Sequence, residues 1–102
     1  MERTKTIAPH PLAINLRMYY LYLLKSEIDN SHYIGTTDDL KRRFQAHNTG
    51  QSMATKAKRP WSLCYYEAYR VKFDALRREK QLKRFAKSYT MLLRRIDKSI
   101  NG

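Results

Sequence analysis

The sequence predicts an α+β domain in which helices flank a three-stranded antiparallel sheet, in the order β-β-α-β-α-α. Three observations lead to this prediction. Two short runs of aromatic and aliphatic residues are separated by turn residues, which is typical of a β-hairpin. A third run, Trp61–Tyr69, has the length and aromatic content of a strand. The remaining segments carry apolar residues at helical spacing, behind residues that can cap a helix.

The first two strands form the predicted hairpin. Residues Tyr19–Leu24 are all tyrosine or leucine. Such a run without alternation favours a strand that is buried on both faces. Asp29-Asn30-Ser31 supplies the turn, and His32–Thr36 forms the short second strand.

Capping and alternation predict the next two elements. Thr37-Asp38-Asp39 can cap a helix that carries Leu40 and Phe44 on one face, and Asn48-Thr49-Gly50 ends this helix. In the strand Trp61–Tyr69, alternation predicts that one face holds Trp61, Leu63 and Tyr65, and the other Ser62, Cys64, Tyr66 and Ala68.

Two further helices complete the predicted domain. Asp74 can cap a helix that runs to about Phe85, and Ser88 can cap the last helix. The residues expected to face the core are Ala75, Leu76 and Leu82, followed by Tyr89, Leu92, Leu93 and Ile96. We therefore expect a domain over residues 18–97, between a flexible N-terminal tail of residues 1–17 and a C-terminal tail of residues 98–102.

The charge balance indicates a polyanionic partner. Lys and Arg number 21 and Asp and Glu number 9, which gives a formal net charge of +12. Nucleic acid is the usual partner of such a chain, because each neutralised phosphate releases a counterion. A charge that serves only solubility is the alternative. The chain shows neither a membrane helix nor a signal-peptide core, so we expect a cytoplasmic protein that does not bind membrane.

Several residues suggest chemistry, although each also has a structural explanation. Glu79 shares the apolar stripe of its predicted helix, where a carboxylate must be paired or bind a cation. An ion pair with Lys83 is the simpler explanation. Arg43 and His47 share one helix face, but a run of charges is usually a solvated face. Most strand tyrosines, such as Tyr22, serve packing.

The combination is more specific than its parts. Tyr20-Leu21-Tyr22 followed by Tyr33-Ile34-Gly35 resembles the two signature tripeptides of the GIY-YIG nuclease family, with Tyr20 at the usual Gly position. Arg43 follows Tyr33 at the family's spacing for its active-site arginine. His47 lies where many members carry a histidine, and Glu79 matches the metal-binding glutamate.

This resemblance covers about residues 18–96 and agrees with the predicted order of strands and helices. The chain is most similar to small stand-alone bacterial members, and also resembles the N-terminal nuclease domain of excinuclease C. One departure is Met91, which stands where many members have an asparagine thought to help hold the site together.

The resemblance implies an endonuclease that hydrolyses DNA phosphodiester bonds with one Mg²⁺ or Mn²⁺ ion. Glu79 would hold the ion, and Arg43 would contact the scissile phosphate. Tyr22 and Tyr33 would converge on the attacking water, one of them as general base, with His47 as the alternative base. Sequence alone does not rank these three.

Basic side chains would contact the DNA backbone without reading its sequence. We therefore expect selectivity for a DNA shape such as a branch, flap or nick, a role in DNA repair or recombination, and no obligate protein partner. Backbone contacts do not distinguish DNA from RNA. The expected contacts are Arg42, Lys56, Lys58, Arg59, Arg77, Arg78, Lys80, Lys83, Arg84 and Lys87.

The sequence also allows two functions other than an endonuclease. Met91 and Tyr20 favour a nucleic-acid-binding module that has the same fold and little or no catalytic activity. An interaction subunit whose basic surface docks on an acidic partner is the second alternative. The retained Tyr, Arg and Glu residues argue against both, since neither needs a carboxylate on an apolar stripe.

Overall fold

The computed structural model describes residues 17–102, in which one antiparallel sheet carries helices on both faces. Its strands are β1 (Tyr19–Ser26), β2 (His32–Thr37) and β3 (Trp61–Tyr69). Their order in space is β2-β1-β3, and both pairs are antiparallel. The predicted α+β fold is confirmed. The expected tail of residues 1–17 lies outside the described residues, except for Arg17.

The helices are α1 (Leu40–Asn48), α2 (Lys72–Arg84), α3 (Ala86–Arg95) and α4 (Asp97–Asn101), and a 3-10 turn (Lys56–Lys58) precedes β3. The expected cap of α1 is present, because the Asp39 side chain accepts a 3.1 Å hydrogen bond from the Arg42 backbone N–H. Gly50 beyond α1 has a φ of 84°, which glycine adopts readily. Within residues 17–102, no helix is long and apolar enough to cross a bilayer.

Both later helices begin three residues earlier than predicted, since Val71 and Phe85 stand at the expected places of the caps Asp74 and Ser88, and residues 97–101 are helical. Asp74 lies in the first turn of α2, where it pairs with Arg77 at 3.8 Å instead of capping the helix. Ser88 similarly lies inside α3. Residues 98–102 were expected to form a tail, but most of them belong to α4, whose Ile100 is buried in the core.

The central position of β1 explains its lack of alternation. Leu21 and Leu23 are buried against residues of α2, α3 and α4, whereas Tyr22 and Leu24 are buried on the face covered by α1. Because each face of the sheet has its own apolar cluster, every residue from 21 to 24 is at most 2% exposed. Leu76 was expected in the core but is 42% exposed.

A bulge in β3 changes which of its residues share a face. Leu23 pairs with Tyr65 and Leu24 pairs with Leu63, so Cys64 is an extra residue between them. Trp61 consequently packs with Tyr22 and Leu24, whereas Tyr65 packs on the opposite face of the sheet. The prediction that Trp61 and Tyr65 share a face was therefore wrong, because strict alternation does not anticipate an inserted residue.

Candidate active site

Four of the side chains named above converge on the sheet face that α1 covers. The hairpin places Tyr22 of β1 beside Tyr33 of β2, with ring centroids 6.4 Å apart. Both rings face the imidazole of His47, at 5.6 Å from Tyr22 and 5.0 Å from Tyr33. Arg43 and His47 reach this point together because residues four apart lie on the same side of a helix.

A chain of hydrogen bonds runs through His47. Its Nε2 lies 2.7 Å from the Tyr22 hydroxyl, and its Nδ1 lies 2.7 Å from the hydroxyl of Thr55. His47 is 0% exposed, and both of its ring nitrogens are hydrogen-bonded. Burial, and secondarily the Arg43 charge, lowers the His47 pKa below 6.5, so the ring is neutral at pH 7.

The Arg43 guanidinium lies beside the hydroxyls of Tyr22 and Tyr33. Its pKa is raised, mainly because it interacts with the Tyr22 hydroxyl. Burial raises the pKa of Tyr22, and the neighbouring Arg43 opposes that shift. Arg43 is therefore not part of a merely solvated basic turn, since it joins two tyrosines on neighbouring strands.

Gly35 provides the space in which the Tyr22 ring lies. It is the β2 partner of Tyr22, and an added Cβ there would come within 2.5 Å of the Tyr22 hydroxyl oxygen and 2.6 Å of the ring carbon Cζ. Such distances are too short for nonbonded atoms, so any other residue would displace the ring. The position needs glycine because a side chain crosses its backbone closely.

We expect Gly35→Ala to lower the free energy of unfolding by about 1–3 kcal/mol, the usual cost of overpacking a core. It should also break the bond between Tyr22 and His47. Urea unfolding measures the first effect, with Thr36→Ala on the adjacent residue as the control, because that change removes atoms. A Gly35→Ala protein as stable as the control would contradict this role of Gly35.

Glu79 approaches the same group of side chains from α2. Its charge acts on the Tyr22 hydroxyl and contributes to the raised pKa of Tyr22. The Glu79 side chain is 22% exposed and accepts a 2.9 Å bond from Lys83, whose side chain is 53% exposed. The simpler expectation of an ion pair at this spacing is met. The pair does not enclose the carboxylate, because Lys83 is largely in solvent.

The donor set around Glu79 suits a hard cation that keeps most of its water. Within residues 17–102, no group of three or more His, Cys, Asp or Glu side chains is placed to hold a metal ion. Mg²⁺ is commonly held by one or two carboxylates, with water and substrate phosphate completing its shell. A single half-buried carboxylate at Glu79 fits that pattern, whereas it does not fit a zinc site made only of protein ligands.

The sequence did not point to two residues that hold this site together. Thr55 is 1% exposed and bonds to His47, yet it lies in a loop without periodicity. The Asn48 side chain exchanges two bonds with the backbone of Trp61, at 2.7 and 3.0 Å, and so ties the end of α1 to β3. Met91, at the position of the family's asparagine, is 58% exposed on α3.

Some of the basic residues line clefts on both flanks of α2. On one flank, Lys72 and Leu76 line a cleft of about 510 Å³ that Arg43 also lines. On the other flank, a cleft of about 760 Å³ is lined by the cations Arg77, Arg78, Lys80 and Arg84 together with Phe85. The helix α2 therefore separates two clefts, and cations border both of them.

Not every predicted phosphate contact is equally available. The Arg78 Nε lies 3.0 and 3.1 Å from the two carboxylate oxygens of Glu67, so Arg78 is committed to an intramolecular ion pair. Lys58 pairs with Asp29 at 3.3 Å. In contrast, five predicted contacts are exposed and form no ion pair within the described part of the chain: Arg42, Lys56, Lys80, Arg84 and Lys87.

The chain is similar in sequence to a known domain family and to several bacterial proteins. A model of the GIY-YIG catalytic domain matches residues 18–92. A UPF0213 protein of Staphylococcus saprophyticus is 37% identical over 76 residues, which cover 74% of this chain and 92% of that protein. A UPF0213 protein of Bacillus velezensis is 36% identical over 74 residues, 72% of each chain. The solution structure of a UPF0213 protein of Bacillus halodurans has 30% identity and a TM-score of 0.48, and the match covers 74% of this chain and 81% of that one.

Proposed function

Because the chain belongs to the GIY-YIG family, whose members are in general nucleases, we propose that it is a metal-dependent endonuclease that hydrolyses DNA phosphodiester bonds. One observation carries the proposal. The Arg43 guanidinium interacts with the Tyr22 and Tyr33 side chains, and the Glu79 charge acts on the same Tyr22 hydroxyl. A cation, two tyrosines and a carboxylate are therefore brought together, as phosphoryl chemistry requires.

Glu79 is the proposed ligand of one Mg²⁺ or Mn²⁺ ion, which when bound would stabilise the leaving oxygen as a Lewis acid. Lys83 must release the carboxylate before this ligand is available. That release costs little, because an exposed pair of this kind contributes about 0–1 kcal/mol. The released ammonium remains close to the site, where it can contact a phosphate of the bound strand.

Arg43 is the proposed partner of the scissile phosphate. A guanidinium presents several N–H donors in a planar fork, and it stays charged at any pH at which the protein is folded. Its contacts with two tyrosine hydroxyls keep this fork in place before substrate arrives. A preorganised cation stabilises the charge that builds on the phosphoryl oxygens without reorganisation during the reaction.

The geometry favours Tyr33 as the group that contacts the attacking water. His47 is 0% exposed and both of its ring nitrogens are bonded, so it can exchange a proton only through Tyr22 or Thr55. Tyr22 is 2% exposed. Tyr33 is only partly buried, so it is the most accessible of these three residues. We therefore assign general-base catalysis to Tyr33 and a positioning role to Tyr22 and His47.

The two clefts beside α2 support selectivity for a DNA shape. A strand that enters the Arg43 cleft can continue over α2, where the exposed cations Arg77, Lys80 and Arg84 border the second cleft. Contacts of this kind bind phosphates and read no bases. A substrate with two arms, such as a branch or flap, would use both clefts, and this fits a role in DNA repair or recombination.

DNA binding should depend steeply on salt, because each phosphate contact lowers the slope of log K against log salt concentration by about 0.9. The double variant Arg77→Ala/Arg84→Ala should make this slope shallower by up to about two. Lys98→Ala is the matched control, since α4 contributes no residue to the proposed interface. Fluorescence anisotropy over a salt series measures the slopes. DNA binding by the native chain that does not depend on salt would contradict the proposed interface.

Nicking of a supercoiled plasmid with Mg²⁺ or Mn²⁺, against the same reaction with a chelator, tests the activity itself. We expect nicked product only with the free ion. A labelled RNA in parallel determines whether the sugar matters. The alternative function, a catalytically silent DNA-binding module, is favoured by the exposed Met91 at the position of the family's asparagine. Salt-sensitive binding without nicking under any of these conditions would support it.

A further inference from the structure

The loop between α1 and β3 supplies one buried side chain to the candidate active site. Its residue Thr55 is 1% exposed, although the neighbouring Ala54 and Lys56 are exposed. The backbone carbonyl of Thr55 accepts bonds from the Lys58 amide at 3.2 Å and from the Trp61 indole Nε1 at 2.9 Å. These two bonds hold the residue in place, and the Thr55 hydroxyl lies 2.7 Å from His47 Nδ1.

The donors and acceptors around His47 determine which of its ring nitrogens carries the proton. Tyr22 keeps its hydroxyl proton at neutral pH, since its burial disfavours the phenolate. Arg43 cannot accept that proton, because a guanidinium only donates. Among the described residues, the acceptor within hydrogen-bond distance of the Tyr22 hydroxyl is His47 Nε2. A neutral imidazole with a lone pair on Nε2 must carry its proton on Nδ1.

We propose that Thr55 is a positioning residue of this site. Its hydroxyl oxygen accepts a hydrogen bond from the Nδ1–H group of His47, and this bond selects the tautomer whose Nε2 accepts a hydrogen bond from the Tyr22 hydroxyl. In histidines generally, the hydrogen bond made by one ring nitrogen determines which of the two nitrogens carries the proton. The expected effect on the cleavage rate rests on the proposed function, whereas the assignment of the His47 tautomer does not.

The effect of Thr55 reaches the phosphate-binding group through two side chains. Because the Tyr22 hydroxyl donates a hydrogen bond to His47, the lone pairs of its oxygen are left to accept from Arg43, which lies beside it. If His47 carried its proton on Nε2, both neighbours of the Tyr22 oxygen would be donors, and the Tyr22 proton would have no acceptor there. Thr55 therefore stabilises the arrangement in which Tyr22 donates to His47 and accepts from Arg43.

Nuclear magnetic resonance of the native chain tests the tautomer directly. In protein labelled with ¹⁵N-histidine, long-range proton–nitrogen correlations show which ring nitrogen is protonated. We expect the His47 spectrum at pH 7.5 to show protonated Nδ1 and unprotonated Nε2. The variants His10→Gln and His32→Gln assign the other two signals. A His47 ring protonated on Nε2 would overturn the proposal, whether or not the chain cleaves DNA.

Kinetics of matched variants test the positioning role. Thr55→Val keeps the shape and removes the hydroxyl, so we expect kcat to fall roughly 10–100-fold, the range for groups that orient a functional histidine, with a smaller change in KM. Thr55→Ser restores a hydroxyl and should recover most of the lost rate. Thr49→Val, in an exposed residue that does not contact His47, is the control for the substitution.

Two results would contradict the kinetic part. If Thr55→Val keeps the native kcat, the hydroxyl does not position the site. If Thr55→Ser is as slow as Thr55→Val, the threonine methyl group matters and the hydroxyl does not. A native chain that cleaves no nucleic acid would instead count against the proposed function, and the tautomer measurement would still decide what Thr55 does.

Discussion

Replacing Glu79 with glutamine should abolish metal-dependent cleavage and leave DNA binding intact. The amide keeps the size of the side chain but removes the charge on which a divalent ion depends. Metal-ion catalysis supplies several kcal/mol of charge stabilisation, and each 1.36 kcal/mol corresponds to a factor of ten in rate. We therefore expect kcat to fall by roughly 1,000-fold or more, measured as single-turnover cleavage of labelled DNA.

Lys83→Ala separates the catalytic role of Glu79 from its ion pair. Both variants remove the ion pair that the two side chains form at 2.9 Å, but only Glu79→Gln removes the carboxylate. An exposed ion pair contributes at most about 1 kcal/mol, so both variants should unfold at nearly the native urea concentration. Lys83→Ala should keep most of the activity. If Glu79→Gln unfolds, or if both variants lose activity equally, the ion pair itself was the important feature.

Arg43→Ala should reduce the cleavage rate far more than DNA affinity. Loss of one preorganised donor at a developing negative charge typically costs about 100–1,000-fold in kcat. Affinity should fall less than about tenfold, since Arg43 is one of many cations that contact the backbone. Arg43→Lys, the matched control, keeps the charge but loses the planar fork, so it should recover affinity more fully than rate.

Single-turnover rates and anisotropy titrations on the same samples separate the two effects. Equal losses of rate and affinity would make Arg43 a simple binding residue. Arg43 also opposes the burial that raises the Tyr22 pKa, so its removal should raise that pKa further. A Tyr22 pKa that stays the same in Arg43→Ala would contradict the contact between the two side chains.

Elements whose partners are local in sequence could be predicted. The composition of β1 indicated burial on both faces, and its central place between β2 and β3 is the reason. The capping side chain of Asp39 indicated the start of α1. In contrast, Asp74 and Ser88 are good capping residues that lie inside their helices. Propensity for a cap is a weak signal when the preceding residues are also compatible with helix.

Features that depend on tertiary contacts were not visible in the sequence. The bulge at Cys64 cannot be recognised from the alternation of residues in β3, although it determines on which face of the sheet Trp61 lies. Thr55 is one threonine in a polar loop, and only the folded chain brings it against His47. Arg78 belonged to a run of basic residues, but its guanidinium is bound by Glu67.

The candidate site itself was predicted in part. Helical spacing brings Arg43 and His47 to one face, and hairpin pairing brings Tyr22 beside Tyr33. The choice among the candidate bases depends on how deeply each side chain is buried. The sequence does not show that His47 is fully buried while Tyr33 is only partly buried. Electrostatic relations between Glu79 and Tyr22 likewise arise only when α2 packs on the sheet.

The most direct measurement is cleavage of labelled plasmid and branched DNA with Mg²⁺ or Mn²⁺, by the native chain and by Glu79→Gln, with DNA binding measured on the same samples. The proposed function predicts that both proteins bind, that only the native chain cleaves, and that a chelator stops the cleavage. Salt-sensitive binding by both proteins without cleavage by either would contradict it, and would assign the chain to nucleic-acid binding without catalysis.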